Sequence, residues 1–165
     1  MADLHIADFY KDAARILVQL YNSFPRKVIV FVEDIAGPDT PDEFGLHSTR
    51  HQACLATMLW LAQAGYVSYD SLIRQEAIDQ ATLTQRGFTL LASPLPVHEV
   101  VGLSGPDDEE PEEDAANEAG PVDAVTAAAQ AGNGIQLLRD VLKYGSSDAI
   151  EQVMLELLRQ ARHHV

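Results

Sequence analysis

Residues 59–67 read LWLAQAGYV, and residues 83–91 read LTQRGFTLL. In the first stretch an apolar helix runs out at Gly65 and two strand-forming residues, Tyr66 and Val67, follow. In the second, Thr84 stands just ahead of a short apolar helix, where its hydroxyl can accept a hydrogen bond from a free N–H of the first turn. Between them lie YVSYDS (66–71) and EAIDQATL (76–83), both able to form strands. Leu72–Gln75 would connect these strands, without the Asn-Gly or Asp-Gly pair of a tight hairpin. The expected order is therefore helix, strand, strand, helix, closed by Pro94.

Moving toward the N-terminus, Ser48 or Thr49 is placed to cap the long helix RHQACLATMLWLAQA. Its apolar face is broad (Cys54, Leu55, Met58, Leu59, Leu61 and Ala62), which implies contact with other elements on more than one side. Residues 33–43, EDIAGPDTPDE, contain the breakers Gly37, Pro38 and Pro41 and read as a loop, with one helical turn near 41–44. VIVFV at 28–32 is β-branched or aromatic throughout and reads as a short buried strand. Over 8–24, Phe9, Ala13, Ile16, Leu17, Leu20 and Phe24 recur at helical spacing and leave Lys11, Asp12, Arg15 and Gln19 for solvent. Pro25 disfavours helical geometry at Phe24 and ends that helix.

Toward the C-terminus the composition changes. The formal net charge is −14; residues 97–123 hold ten acids and no base, against seven bases and eleven acids in 1–96 and four of each in 124–165. GLSGPDDEEPEEDAANEAG (102–120) has too little apolar surface to offset its ordering entropy and reads as a disordered linker. Ala124–Ala131 is weakly helical, and Gly134–Tyr144 is a short helix with Ile135, Leu138 and Leu142 on one side. Ser147–His163 is a stronger helix, with a stripe of Ile150, Val153, Met154, Leu157 and Leu158. Asp148 in its first turn and Arg159 and Arg162 in its last suit the helix dipole. The stripe must be buried, either on the N-terminal domain or on another subunit. With the first helix, it is the expected partner or dimer surface.

The helix–strand run 59–67 is similar to the end of a recognition helix entering the wing in winged helix-turn-helix proteins of the MarR and PadR type. Leu83-Thr84-Gln85-Arg86-Gly87-Phe88-Thr89-Leu90-Leu91 resembles their Leu-Thr-x-x-Gly-x-x-x-Leu junction between wing and final helix. The spacing has a physical logic: Gly65 permits a tight helix exit, and Gly87 allows the last helix to pack closely. The resemblance covers about residues 9–93. It implies an α+β, mostly α fold: a winged-helix domain over 1–96, an acidic linker over 97–123 and a C-terminal helical segment over 124–165. One departure stands out. Residues 33–47 should hold the helix preceding recognition, yet they carry two prolines and two glycines, so that helix must be very short or rebuilt as a loop.

The resemblance implies a helix over 49–64 that enters the major groove and a wing at 72–75 that touches the backbone. On this chain the contacts would be Thr49, Arg50, Gln52 and Arg74, with Arg26 and Lys27 on phosphates; Arg50 suits guanine and Gln52 adenine. Charge argues the other way. A protein that neutralises several phosphates usually shows a basic patch, and 1–96 is net acidic. The favoured expectation is a non-enzymatic regulatory or protein-interaction module with a protein partner or homodimer; the alternative is a DNA-binding transcriptional regulator.

Chemistry is sparse. His47 and His51 are four apart, with Asp42 or Glu43 nearby for a metal, or Asp39, Asp42 and Glu43 for a divalent ion. No third histidine has a convincing spacing, and the histidines read as capping or surface groups, so no metal or other cofactor is expected. Cys54 lies on an apolar stripe and reads as an inert buried thiol. Trp60 reads as core. No phosphate loop, Ser-His-Asp pattern or carboxylate pair suggests an enzyme. Without a long apolar run or a secretion signal, the expected setting is cytoplasmic, with no membrane contact.

Overall fold

The computed structural model describes residues 3–95 and 132–162. The acidic stretch 97–123 and the alanine-rich run 124–131 lie outside the described residues. The fold is α+β and mostly helical. No helix among the described residues is long and apolar enough to cross a membrane.

Helix α1 (Leu4–Ser23) is the central element. Its Ala13, Ala14, Ile16, Leu17 and Leu20 are fully buried, and burying a side chain the size of Ile16, Leu17 or Leu20 stabilises a fold by about 1.5–3 kcal/mol. Strand β1 (Val28–Phe31) follows and passes directly into α2 (Val32–Ala36). The expected loop therefore begins with a five-residue helix, anchored by the buried Val32 and Ile35. No helical turn forms at 41–44. There the Asp42 carboxylate instead accepts from the Phe44 and Leu46 N–H groups and folds a tight turn.

Helix α3 (Thr49–Gln63) is capped by Ser48, whose Oγ accepts from the His51 N–H at 3.2 Å. It ends at Gly65, with φ +84°. The Tyr66 N–H reaches Leu61 O and the Gly65 N–H reaches Ala62 O, the paired bonds of a Schellman ending. Strands β2 (Val67–Ser68) and β3 (Ser71–Ile73) then run along one edge of β4 (Ala77–Leu83), and β1 pairs with the other edge, all antiparallel. The last strand is therefore central. The turn between β3 and β4 places Arg74 at φ +52°. A register shift between Val28 and Val30 accompanies a left-handed Gln80, a bulge of the kind that twists a strand locally.

Thr84 caps helix α4 (Gln85–Ala92): its Oγ1 accepts from the Gly87 N–H at 3.1 Å and donates to Gly65 O at 2.6 Å. A Cβ on Gly87 would stand 2.2 Å from Tyr66 O. The two quoted stretches thus close on each other, and Gly87 is required for the approach.

Ser93–Leu95 pairs with Gly132–Gly134 through Leu95 N–H to Gly132 O (2.9 Å) and Gly134 N–H to Ser93 O (3.0 Å). Helix α5 (Gly134–Tyr144) starts there, capped by Asn133, and α6 (Ser147–Gln160) follows, capped by Ser146. One core holds the whole described chain. This corrects the expected partner helix: Ile150, Val153, Met154 and Leu157 are buried, Leu158 is partly buried, and α6 packs on α1 and α5. The expected interface stripe is internal because the first helix offers it a complementary apolar face within the same chain.

Candidate functional site

The N-terminal end of α3 was the expected reading surface, and several of its polar groups are bonded to other parts of the chain. Arg50 forks onto Asp12 of α1, with two bonds of 2.6 Å, and lies 4.0 Å from Asp8. Asp12 is fully buried, which corrects its expected solvent position. Hydrogen bonding to Asp12 holds the Arg50 pKa above its ordinary value. A guanidinium forked onto a carboxylate is held by geometry as well as charge, so Arg50 works inside the fold. Gln52 donates from Nε2 to His47 O at 2.7 Å, and Lys27 sits 3.5 Å from Asp70. Thr49, Arg26 and Arg74 are exposed. The expected contacts do not form one cationic surface, because three of the six are tied to other groups of the chain.

His47 and His51 stack with ring centroids 3.9 Å apart. The acid that meets them is Asp39, not Asp42 or Glu43: its Oδ2 lies 2.9 Å from His47 Nδ1 and 3.8 Å from His51 Nδ1. Asp39 is held below the usual carboxylate range by hydrogen bonding to Ser48 first and His47 second. His51 is 2% exposed, which corrects the expectation of a surface or capping histidine. Cys54 is buried as expected, and burial pushes its thiol up to about 12, which leaves it protonated and unreactive.

The other end of α3 is open. Trp60 is 41% exposed, which corrects its expected core position. It meets Phe9 edge-on at 5.1 Å and stands 6.5 Å from Tyr66. These three rings line a groove of about 740 Å³ between α1, α3 and α6. Arg86, Arg159 and Arg162 line the same groove, with Glu156 among them. The Arg86 guanidinium lies 5.0 Å over the Tyr66 ring, within cation–π range. Arg159 pairs with Glu156 at 2.8 Å, which holds the Glu156 carboxylate below its usual range. Arg86 also borders a neighbouring cavity of about 560 Å³ beside Thr84 and Ser93. The groove was not legible as a site, because its residues come from four separated stretches and Trp60 among apolar neighbours reads as core.

Comparison with family models, curated proteins and solved structures finds no match for this chain.

Proposed function

We propose that this chain is a winged-helix protein-interaction module that docks an acidic, apolar-anchored segment of a protein partner in the groove at the C-terminal end of α3. Support for the fold comes from the element order. A helix, a strand, two helices and a hairpin follow one another, with the first strand pairing to the last. The helix, strands and helix over 49–92 follow the order that the two sequence motifs implied, and α2 stands where the sequence reads as a loop.

The observation that carries the functional reading is a local reversal of charge. Three arginines and one glutamate border an aromatic groove in a chain of net charge −14. Partly exposed aromatic rings beside arginine are typical anchors of protein interfaces. A cationic rim favours an acidic partner and raises its encounter rate. In this reading the module is a non-enzymatic binder, acting by steric and electrostatic fit.

The test uses Trp60, the chain's one tryptophan, as a reporter. A synthetic peptide rich in Glu and Leu should change its fluorescence saturably, one peptide per chain, and bind less tightly as salt is raised. Charge reversal at Arg86→Glu with Arg162→Glu should abolish binding. Undiminished binding by that double variant would reject the groove as the docking surface.

A second reading, a DNA-binding transcriptional regulator, is favoured by the same element order. It would rest on Arg26, Arg74 and Thr49, since Arg50, Gln52 and Lys27 already have partners. Duplex DNA that binds with a steep salt dependence, and loses affinity on Arg26→Ala with Arg74→Ala, would move the assignment there.

A further inference from the structure

The polar cluster at the other end of α3 has one buried atom without a partner. His51 Nε2 lies 2.7 Å from Gln75 O. A carbonyl can only accept, so Nε2 carries the proton and donates. In the neutral ring Nδ1 is then a bare lone pair. That atom is buried and makes no hydrogen bond. It faces Asp39 Oδ2 at 3.8 Å, beyond hydrogen-bonding distance. A lone pair opposed to a carboxylate oxygen in a buried place is unfavourable unless a proton or a metal cation lies between them, and the 3.8 Å gap is too long for an N–H···O bond and long enough for an ion bound to both.

His47 Nδ1 faces the same oxygen at 2.9 Å. One donor atom from each of Asp39, His47 and His51 falls within 4.8 Å of the others. Tetrahedral zinc, with bonds of about 2.0–2.1 Å, needs donor atoms about 3.3 Å apart, a separation that 2.9 and 3.8 Å bracket. The surroundings are those of a ligand shell. A metal-binding imidazole usually donates its second N–H to a carbonyl or carboxylate, as His51 does to Gln75 O. Asp39 Oδ2 also accepts from the Ser48 N–H at 3.2 Å, and the His47 backbone is held by Gln52. Two imidazoles with one carboxylate suit a borderline transition ion and not calcium or magnesium, which prefer all-oxygen shells. Closing on the ion asks a small tilt of His47, which sits on the loop and not on the helix.

We propose that Asp39, His47 and His51 form a three-ligand site for a zinc-class divalent ion. Its occupancy fastens the 37–48 loop to the start of α3 and to the β3–β4 turn. The side chains of Asp39 and His47 are each 11% exposed, so a water completes the shell from the solvent side. The site is independent of the groove.

The experiment titrates the full chain with zinc chloride by calorimetry and repeats the titration with cobalt(II), followed by its visible absorption. The parent should bind one ion per chain, and cobalt should give the intense bands of four-coordination. Asp39→Asn and His47→Ala lie on the loop and are checked for folding by circular dichroism. Each should weaken binding by roughly a hundredfold or more, beyond the 10- to 100-fold typical of losing an outer-shell partner. Zinc should also slow amide exchange over residues 39–48 in the parent alone. Absence of saturable one-to-one binding would overturn the site. So would unchanged affinity in both folded variants, since another set of groups would then hold the ion.

Discussion

The two ends of α3 use their side chains in opposite senses. At the N-terminal end most of the charged and polar residues are engaged within the chain: Arg50 is forked onto the buried Asp12, His51 is buried against Gln75 O, and the exposed Gln52 holds the His47 carbonyl. At the C-terminal end the large aromatic Trp60 faces a groove edged by arginines. Polarity therefore does not sort this helix into inside and outside. The polar end is tied into the fold, and the apolar end carries a large ring at the surface.

The comparison breaks first at Arg50. Arg50→Ala leaves the fully buried Asp12 carboxylate without its partner, and stability should fall by about 3–5 kcal/mol, read from urea denaturation. Arg50→Lys should recover only part of this, because an ammonium cannot reproduce the two-bond fork. A loss under about 1 kcal/mol for the alanine variant, the size expected of a surface pair, would return Arg50 to the surface and reopen it as a contact residue.

A smaller effect tests how firmly the other end is built. Gly87→Ala puts a methyl group 2.2 Å from Tyr66 O, a backbone atom that cannot step aside by rotating a side chain. The expected cost is about 1–3 kcal/mol, the range for overpacking, with a lower melting temperature and weaker peptide binding in the groove. A variant as stable as the parent would show that α4 can withdraw from the α3 exit.

The smallest effect concerns the groove wall. The Arg159 hydrogen bonds depress the Glu156 pKa below its ordinary 4.5. Such a group stabilises the fold in full above pH 4.5, and that contribution is lost as pH falls through the depressed pKa. Glu156→Gln should cost under about 1 kcal/mol at neutral pH and flatten the acid side of the stability curve. Superimposable acid limbs for variant and parent would assign this pair no part in holding the wall.

Local signals in the sequence were strong where one residue does one local job. Gly65 ends α3, Thr84 caps α4, Gly87 admits Tyr66 O, and Gly134–Tyr144 is helical as its spacing predicts. The misses are tertiary. Asp12 sits at a position that helical periodicity assigns to solvent, and its partner is 38 residues away. Helix α2 was hidden because the breakers at Gly37 and Pro38 follow it at once, leaving only five residues. His51 gave no sign of burial, since the atom that accepts from it belongs to the backbone of Gln75, where side-chain identity carries no message. Trp60 looked like core because its neighbours are apolar, but exposure at a helix end depends on what lies across from it. The destination of the α6 stripe was open in the sequence for the same reason: one amphipathic face fits α1 of its own chain or of another.

The pairing of Leu95 with Gly132 holds two points 37 residues apart in the sequence side by side in a single seam. The stretch 97–123, with ten acids and no bases, accounts for −10 of the −14 charges and lies in the sequence between the two sides of that seam. The residues that make the seam, Ser93–Leu95 and Gly132–Gly134, carry no charge of their own. Because its two sides already touch, a flexible Gly-Ser linker from Leu95 to Gly132 would close the seam at a cost that rises by only about 0.6 kcal/mol for each doubling of its length.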